Sequence, residues 1–364
     1  MASEVLADRQ VVAETPEHIT PEVMTDLLRG AGVLPEGHVV NVRFSPVGVG
    51  LLGDTVRFEI TYDADRSTAP LTLAAKFAAK DPVARRTGID LGLYLTETRF
   101  YQELAQTLAV RAPRCYHASI SDGGEFCILL EDVSPARAAN QVTGCSRADA
   151  EHAMRQAAAI HAPTFGDSNV WDVPWMKARR AIFSGVAANF DAHLAEFRRR
   201  YSDLLEPEYM RLAQNFASKV SVFVEQMPER FSLIHADFRL DNMLFDANGG
   251  ADPLVILDWQ SVAPENPALD FAYFLGTSYP VDHRRRDEDD LLRLYHDTLL
   301  EQGQKDYGID DIRQDYRRGA WLGLFTAIFS SAVAKRTERG DQVFMTMARG
   351  AAAQMLDHET LKMK

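Results

Sequence analysis

The stretch that decides the fold reads His235-Ala-Asp237-Phe-Arg239-Leu-Asp-Asn242-Met-Leu-Phe245 and then, beyond a turn, Leu254-Val-Ile-Leu-Asp258-Trp-Gln260. Two apolar runs within it, 243–245 and 254–257, flank a segment rich in Asn, Asp, Gly and Pro. Short apolar runs separated by turn residues are typical of a β-hairpin. We therefore predict an antiparallel pair of strands whose turn is centred near Gly250.

The predicted register places Met243 opposite Leu257 and therefore Asn242 opposite Asp258. Directly opposed residues in an antiparallel pair have Cβ atoms about 4.5–5.5 Å apart. An amide oxygen and a carboxylate at that spacing suit Mg²⁺, which takes a few hard oxygen ligands and leaves its other positions to water and phosphate. Asp237 would accept the proton of an attacking hydroxyl. This order and spacing are those of a kinase catalytic loop followed by its metal ligand, whereas any one of these residues alone would only indicate a polar turn.

Composition places the chain among globular proteins of about two domains or lobes. It has 364 residues, of which 46% are hydrophobic and 25% charged,. The net charge of -13 leaves no basic surface for a nucleic-acid backbone, so no nucleic-acid partner is expected,. The three cysteines form no CxxC pair and fit reduced thiols,. The N-terminus lacks a signal-peptide pattern and the run 320–334 is too short to span a membrane. We expect a cytoplasmic protein without a membrane partner; the sequence does not predict the oligomeric state.

The order of predicted elements indicates an α+β fold with two lobes. An N-terminal ATP-binding lobe, residues 1–132, is predicted to hold a helix from Pro21 to Gly30 or Gly32 and a second helix over 89–109. The strands of this lobe are predicted at 38–46, 54–62, 71–77, 114–121 and 125–131. Residues 133–140 are predicted to form a hinge. Residues 141–364 are predicted to form a mostly helical catalytic and substrate-binding lobe that contains the hairpin.

A glycine loop follows the first predicted strand. The segment Gly48-Val-Gly50-Leu-Leu-Gly53 matches GxGxxG, which is a weak signal by itself,. The next residues alternate apolar and polar over 55–62, a period of two that indicates a strand and excludes a dinucleotide-binding helix. A glycine loop between two strands is the arrangement that covers ATP phosphates in kinases. We predict nucleotide contacts from Gly48, Gly50, Gly53 and Thr55, and the alternative is an ordinary glycine-rich turn.

Lys76 and Glu97 are predicted to form an ion pair. Lys76 lies on the third predicted strand, where kinases carry the lysine that binds the α- and β-phosphates. Glu97 falls in the middle of an apolar helical stripe, where a carboxylate is costly unless it is paired. Further along, an apolar strand runs into the hinge, and the main chain from Glu131 to Val133 is predicted to bind adenine.

With these residues identified, the chain resembles the aminoglycoside phosphotransferase/choline kinase superfamily, and within it the ecdysteroid-kinase-like branch and its bacterial relatives. The resemblance covers most of the chain. It rests chiefly on the catalytic loop and on Asp258-Trp-Gln, with support from the glycine loop, Lys76, Glu97, Ala-Ile-His161-Ala and Asp270-Phe-Ala-Tyr. It implies a protein-kinase-like bilobal fold and a phosphotransferase that uses ATP and Mg²⁺ to phosphorylate a hydroxyl of a small molecule.

The resemblance also implies individual roles. Asp237 would be the catalytic base, with Asn242 and Asp258 as ligands of Mg²⁺. Arg239 corresponds to a cation near the γ-phosphate, although a surface arginine is the alternative.

Two further residues would support the loop. His235 would orient it by hydrogen bonding, and Asp270 would be a buried support for its backbone. His161 is expected to be a core histidine. Asp258 is followed by Trp-Gln instead of Phe-Gly, and no Ala-Pro-Glu closes an activation segment, so we expect a small-molecule acceptor and not a protein.

The acceptor itself is left open by the sequence. Glu265, Asp282 and the run 287–290 could form an acidic pocket for an aminoglycoside or choline, although such a run more often forms a solvated helix start. Aromatic residues of the helical lobe could line a pocket for a steroid- or lipid-like alcohol, which we favour, although core packing explains them equally well. They are Trp171, Trp175, Phe271, Tyr273, Phe274, Trp321, Phe325 and Phe329. A hydroxyacyl thioester is a third possibility. The alternative of another class is a nucleotide-binding pseudokinase module, but the loss of the base or metal residue that marks such modules is absent here.

Overall fold

The structure, a computed structural model, describes residues 13–47, 52–63 and 69–363. The chain divides into two units, each described separately below. The N-terminal unit runs to Thr107 and adds Ala112–Ser134 and Asp258–Gln260. The C-terminal unit comprises Leu108–Arg111, Pro135–Leu257 and Ser261–Lys364. In the described part of the chain no helix is both long and apolar enough to cross a lipid bilayer.

The N-terminal unit is built on an antiparallel sheet. Its strands are β1 (Val39–Pro46), β2 (Gly53–Tyr62), β3 (Thr72–Ala78), β4 (Cys115–Ile120) and β5 (Phe126–Glu131). They lie in the order β1-β2-β3-β5-β4. Its helices are α1 (Pro21–Gly30), α2 (Pro82–Asp90) and α3 (Leu93–Arg99). Helix α1 begins as predicted, because the Thr20 hydroxyl accepts the Val23 N–H and Pro21 occupies the first helical position,.

The core of this unit follows from the alternation in β2 and β3. Val56, Phe58 and Ile60 are buried, as are Leu73, Ala75 and Phe77 on the neighbouring strand. These side chains pack in one cluster with residues of α1. Since side chains alternate between the two faces of a sheet, Lys76 and its register partner Thr55 lie on the other face,.

The single helix predicted over 89–109 is wrong. The chain forms α2 earlier, and Gly92 then adopts a left-handed conformation with a φ of 63°. Helix α3 starts after it and continues as a π-helical turn over Phe100–Leu104. A left-handed residue cannot continue a right-handed helix, so Gly92 separates two helices that apolar periodicity had merged.

The C-terminal unit is mostly helical. Its helices are α4 (Arg147–His161), α5 (Pro174–Ala188), α6 (Phe190–Tyr201), α7 (Pro207–Ala217), α8 (Val220–Glu225), α9 (Ala268–Thr277), α10 (Val281–Glu301), α11 (Ile309–Gly319), α12 (Trp321–Val333) and α13 (Glu338–Asp357). Its strands are β6 (Arg137–Ala138), β7 (Ser232–Ile234), β8 (Met243–Asp246), β9 (Asp252–Ile256) and β10 (Ala263–Glu265). Strand β6, inside the predicted hinge, pairs with β8, which also pairs with β9, while β7 pairs with β10.

The predicted hairpin is present as β8 and β9, but its register differs by one residue. Met243 pairs with Ile256, and the Leu257 N–H donates to the Asn242 carbonyl at 2.9 Å. The prediction that Met243 lies opposite Leu257 and Asn242 opposite Asp258 is therefore wrong. The difference arises in the turn. A bridge between Ala247 and Asp252 leaves residues 248–251 between them, so the turn is centred between Gly249 and Gly250 and not on Gly250.

Helix α9 lies at the centre of the C-terminal unit. All its residues from Ala268 to Thr277 are buried. It packs against α11, α12 and α13. A Cβ atom on Gly350 of α13 would collide with the carbonyl oxygen of Gly276, so these two helices approach as closely as their backbones allow,. Side chains that project from α9 are therefore held on a rigid support.

Candidate active site

Lys76 forms the centre of a three-residue charge cluster in the N-terminal unit. Its Nζ lies 2.6 Å from Glu97 Oε1, so the predicted ion pair is present, and 3.0 Å from Asp258 Oδ1. The Glu97 side chain is only 4% exposed. Burial opposes a charge on Lys76, but Asp258 and Glu97 outweigh it and raise the pKa of the ammonium above its ordinary value,. The cluster therefore contains a permanently charged lysine between two carboxylates.

Asp258 is fixed by its neighbours in the sequence. Its φ of 65° lies in the left-handed region, which is unfavourable for a residue with a side chain,. The Trp259 indole is fully buried and stacks on Phe100 with ring centroids 4.0 Å apart. Gln260 Nε2 donates to Asp258 Oδ2 at 3.2 Å. The packed indole holds the backbone in its strained conformation and so aims the carboxylate at Lys76.

The glycine loop is described only at its end. Gly48 and Gly50 lie outside the described residues. Gly53 begins β2, where a Cβ atom would come within 3.3 Å of the Phe77 carbonyl oxygen. The loop end is held by a residue that the sequence analysis did not identify, since the Tyr94 hydroxyl donates to the Leu52 carbonyl at 2.6 Å.

Hydrogen bonds and an ion pair hold the end of β5. The Glu131 N–H donates to the Arg114 carbonyl at 2.8 Å. Asp132 forms an ion pair with Arg57 at 2.6 Å and accepts from the Ser134 N–H. Val133, the other residue predicted to bind adenine, is buried.

In the C-terminal unit, the Asp237 carboxylate is surrounded by donors. Asn242 Nδ2 lies 2.8 Å from Oδ2 and also donates to the Asp237 carbonyl at 2.9 Å. The Tyr273 hydroxyl donates to Oδ1 at 3.1 Å. Arg239 Nε lies 3.1 Å from Oδ1 and 3.3 Å from Oδ2. Because the amide nitrogen of Asn242 is used, its amide oxygen is the atom that could bind a metal ion.

Arg239 lies inside the loop and not on the surface. Its side chain is 18% exposed and bridges Asp237 to Asp241, whose Oδ2 it contacts at 2.7 Å. Burial opposes the charge of Arg239, but these carboxylates raise the pKa of its guanidinium,. Arg239 is therefore a partly buried arginine paired with two carboxylates, and its positive charge lies beside Asp237.

Asp270 of α9 holds the backbone of the loop. Its Oδ2 accepts the His235 N–H at 2.7 Å and its Oδ1 accepts the Ala236 N–H at 2.8 Å. Ala236 has a φ of 63°, a conformation that needs such support,. His235 Nε2 bonds to the Leu257 carbonyl at 2.9 Å, which ties the loop to the end of the hairpin. His161 is fully buried against Asp270, with Nε2 3.1 Å from Oδ2.

Two residues near the loop had no signal in the sequence. Gln141 lies beyond the predicted hinge and accepts the Leu240 N–H with its side-chain oxygen at 3.1 Å. Its amide nitrogen donates to the Thr277 carbonyl at 2.7 Å. Tyr273 was considered as an aromatic residue of a possible pocket and as part of Asp270-Phe-Ala-Tyr, but not as a partner of Asp237. Both act through side chains that reach across the unit, and periodicity along the chain does not report such contacts.

The C-terminal unit contains a cavity of about 490 Å³ that begins at this loop. Ile234 and Ala236, directly before Asp237, form part of its wall. Apolar and aromatic side chains line most of it, including Trp171, Met176, Phe183, Phe223, Trp321 and Leu322. Trp171 and Trp321 were among the aromatic residues considered from the sequence, whereas Phe271 and Phe274 are buried in α9 and are not among the lining residues.

The cavity wall is not acidic. Five cationic and three acidic side chains line it, and they are Lys177, Arg180, Lys219, Arg230, Arg318, Glu229, Glu265 and Asp315. Arg180 lies 3.2 Å from Glu265, and Arg230 donates to both oxygens of Asp315 at 2.7 and 2.8 Å. Asp282 and the run 287–290 are not among the lining residues. That run lies within α10 and not at its start, and Asp287 is buried against Arg147 and Arg286.

A metal site built only from protein side chains is not found. Among the described residues, no three or more His, Cys, Asp and Glu side chains form a group that could hold a metal ion. The two predicted ligands are an amide oxygen and a carboxylate. Such a sparse set fits Mg²⁺, which keeps most of its positions for water and phosphate, better than it fits a structural metal ion.

Comparisons with known proteins identify a family and a fold. The ecdysteroid kinase-like family matches residues 51–305. A Plasmodium vivax ethanolamine kinase superimposes with a TM-score of 0.53 at 10% identity, covering 96% of this chain and 92% of that chain. The GDP complex of wild-type aminoglycoside 2'-phosphotransferase-IIIa superimposes with a TM-score of 0.50 at 13% identity, covering 91% and 98%.

At these identities the two structures show the fold alone, and the predicted protein-kinase-like α+β fold is confirmed. A shorter match comes from the mouse protein named acyl-CoA dehydrogenase family member 10, which is 38% identical over 66 residues. That match spans 17% of this chain and only 6% of the mouse protein.

Proposed function

This chain belongs to the ecdysteroid kinase-like family and is a small-molecule kinase, and from that premise we propose that it transfers the γ-phosphoryl group of ATP to a hydroxyl of an amphipathic alcohol. The observation that carries the proposal is the cavity that begins at Ala236, next to the proposed base Asp237. A mostly apolar cavity with a few polar groups is the usual form of a site for a drug-sized ligand.

The N-terminal unit would contribute the nucleotide contacts. Lys76, held by Glu97, would bind the α- and β-phosphates. Gly48, Gly50, Gly53 and Thr55 would approach the phosphates. The main chain from Glu131 to Val133 would bind adenine.

ATP and Mg²⁺ would supply the phosphoryl group and the positive charge that balances it. Asn242 Oδ1 and a carboxylate oxygen of Asp258 would hold the metal ion. The Arg239 guanidinium, already charged beside Asp237, would face the negative charge on the phosphoryl group. These residues would bind and orient, since phosphoryl transfer depends mainly on positioning and electrostatics.

Asp237 would act on the acceptor. Its carboxylate would take the proton of the acceptor hydroxyl as the oxygen forms its bond to phosphorus and the bond between phosphorus and the β,γ-bridging oxygen breaks. The products are then the phosphate monoester and ADP. A positioned base of this kind contributes about 10²–10⁴ to the rate.

The wall of the cavity supports an uncharged or anionic acceptor. Its cationic side chains outnumber its acidic ones, in a protein whose net charge is -13. The one acidic residue from the sequence-based pocket that lines it, Glu265, is paired with Arg180. A polycationic aminoglycoside would meet repulsion there, whereas a steroid- or lipid-like alcohol would bury its carbon skeleton against the aromatic side chains.

A hydroxyacyl thioester is a second candidate acceptor. Two observations favour it: the cationic side chains on the cavity wall, which would attract an anionic carrier, and the short match to the mouse acyl-CoA dehydrogenase family member 10. A phosphorylation assay with both compounds separates the alcohol from the thioester, because the true acceptor should be phosphorylated much faster than the other.

The test is direct phosphorylation. The protein is incubated with Mg-ATP and a panel of sterols, long-chain alcohols, hydroxyacyl thioesters, choline and aminoglycosides, and mass spectrometry detects the added phosphoryl group. Wild-type protein should phosphorylate an amphipathic member of the panel, and Asp237→Asn should bind nucleotide but lose transfer. Asp246→Asn, at an exposed turn carboxylate, is the matched control and should retain activity. Nucleotide binding without transfer to any acceptor would instead indicate the pseudokinase module.

A further inference from the structure

Tyr273 is a buried residue of α9 for which the proposed reaction has no role so far. It is 1% exposed, and its hydroxyl donates to Asp237 Oδ1 at 3.1 Å. It lies three residues after Asp270, so the two side chains project from the same face of the helix. Asp270 holds the backbone of the loop, and Tyr273 reaches the carboxylate that this backbone carries.

The donors around Asp237 differ in which carboxylate oxygen they reach. Arg239 Nε is shared between the two carboxylate oxygens, at 3.1 and 3.3 Å. Tyr273 contacts Oδ1 alone, and Asn242 contacts Oδ2 among the side-chain oxygens. If Arg239 moves toward a phosphoryl group, one donor therefore remains on each oxygen. Two donors on opposite oxygens fix the plane of a carboxylate, whereas one donor leaves it free to rotate.

Three charged side chains lie near the Asp237 carboxylate or its neighbour Asp241. Arg239 and Asp241 belong to the loop, and Arg339 of α13 lies 3.4 Å from Asp241. Burial, reinforced by the negative charge of Asp237, raises the pKa of Tyr273 well above its ordinary value,. The phenol therefore keeps its proton at all physiological pH values and can only donate to the carboxylate.

We propose that Tyr273 is a positioning residue for Asp237, which together with Asn242 clamps the carboxylate in the plane that accepts the proton of the acceptor hydroxyl. The inference rests on the proposed function for its catalytic meaning. Its physical content, a hydroxyl that fixes one carboxylate oxygen while Asn242 fixes the other, is independent of the acceptor.

The variant Tyr273→Phe removes the hydroxyl and keeps the ring. Tyr316→Phe is the matched control, because Tyr316 is also 1% exposed and donates to a carboxylate, Glu288 at 2.9 Å, without contacting the loop. Tyr273→Phe should lower kcat by about tenfold or more, the size expected for a lost hydrogen bond to a charged group, and leave the KM for ATP unchanged. Tyr316→Phe should change neither.

A second measurement does not depend on activity. The ¹³C chemical shift of the Asp237 carboxyl carbon is measured at one neutral pH in the wild type and both variants, with melting temperatures as the check on folding. The chemical shift should change in Tyr273→Phe alone, because this variant loses the hydrogen bond to Oδ1. An unchanged chemical shift and an unchanged kcat in a folded Tyr273→Phe protein would overturn the inference. A changed chemical shift in a protein whose wild type phosphorylates no acceptor would retain the clamp and refute the proposed function.

Discussion

The Nζ of Lys76 lies 3.0 Å from Oδ1 of Asp258, a residue 182 positions later in the chain. With Glu97 at 2.6 Å, one positive charge is held between two negative ones. With both carboxyl groups ionised, the cluster carries one excess negative charge, which a bound cation would balance. In the proposed function, phosphate oxygens would replace Asp258 as the partner of the Lys76 ammonium, while Glu97 would keep that ammonium oriented.

Replacing Lys76 should impair both phosphoryl transfer and stability, whereas replacing an exposed lysine should affect neither. Lys76→Met should reduce phosphoryl transfer by about 10²–10³, the range for losing one preorganised charged donor. It should also lower the melting temperature, because Glu97 stays buried without its partner. Lys80→Met is the control, since Lys80 is 67% exposed and 3.7 Å from Glu17. Initial rates with radiolabelled ATP measure both, and equal rates in the two variants would contradict the assignment.

Asp270→Asn should weaken the loop more than it weakens the fold. Asp270 accepts the N–H groups of His235 and Ala236, and an amide offers only one oxygen for these two donors. We expect a loss of about 1–3 kcal/mol of unfolding free energy and a fall in kcat. Asp287→Asn, at another buried carboxylate that contacts Arg147 and Tyr279, should cost similar stability and leave kcat intact at a temperature where both variants are folded. Urea unfolding and kinetics together distinguish these outcomes.

The cavity mouth offers a test of acceptor binding. Val222 lines the cavity and is 68% exposed, so a larger side chain there should be tolerated by the fold. Val222→Trp should raise the KM for the acceptor by about tenfold by narrowing the entrance, with the KM for ATP unchanged. Val83→Trp is the control at an equally exposed valine, 75%, in the N-terminal unit. A Val222→Trp enzyme with unchanged acceptor KM would mean that the acceptor enters elsewhere.

Acid stability should depend on Asp149, at the start of α4. Burial opposes its charge, but hydrogen bonds from Arg137 and Ser146 outweigh this and lower the pKa of the carboxyl,. Since the folded pKa lies below the unfolded value of about 3.9, this stabilisation is complete above that pH and disappears as the pH falls toward the folded pKa. Asp149→Asn should therefore lose about 1 kcal/mol at pH 7 and approach wild-type stability below about pH 4. Asp122→Asn, at an exposed turn carboxyl, should show no such convergence in denaturant melts at graded pH.

The sequence predicted the fold class and most of the strands because these depend on local patterns. The period of two in β2, the cap at Thr20 and the turn-rich hairpin are such patterns. The Lys76–Glu97 pair could also be predicted, since a carboxylate in an apolar stripe requires a partner. Where the signal depended on backbone conformation, the predictions were less accurate. The left-handed Gly92 divided one predicted helix into two, and the even-numbered turn after Ala247 moved the hairpin register by one residue.

The contacts that position the catalytic loop could not be predicted. Tyr273 and Gln141 reach the loop from elements that are remote in the chain, at separations of 36 and 99 residues. Tyrosine in an apolar helix and glutamine after a hinge have no pattern that distinguishes them from core or surface residues. Only the packing of the C-terminal unit determines which side chains face the loop.

The division of the chain has a consequence for how the protein is made. Leu108–Arg111 belongs to the C-terminal unit and Asp258–Gln260 to the N-terminal unit, so neither unit is one continuous segment. A fragment ending at Ser134 would lack both the carboxylate beside Lys76 and the indole stacked on Phe100. At translation rates of 5–20 residues per second, Asp258 emerges roughly 10–40 s after Lys76. The N-terminal unit of a nascent chain therefore cannot complete its packing until Asp258–Gln260 have been synthesised.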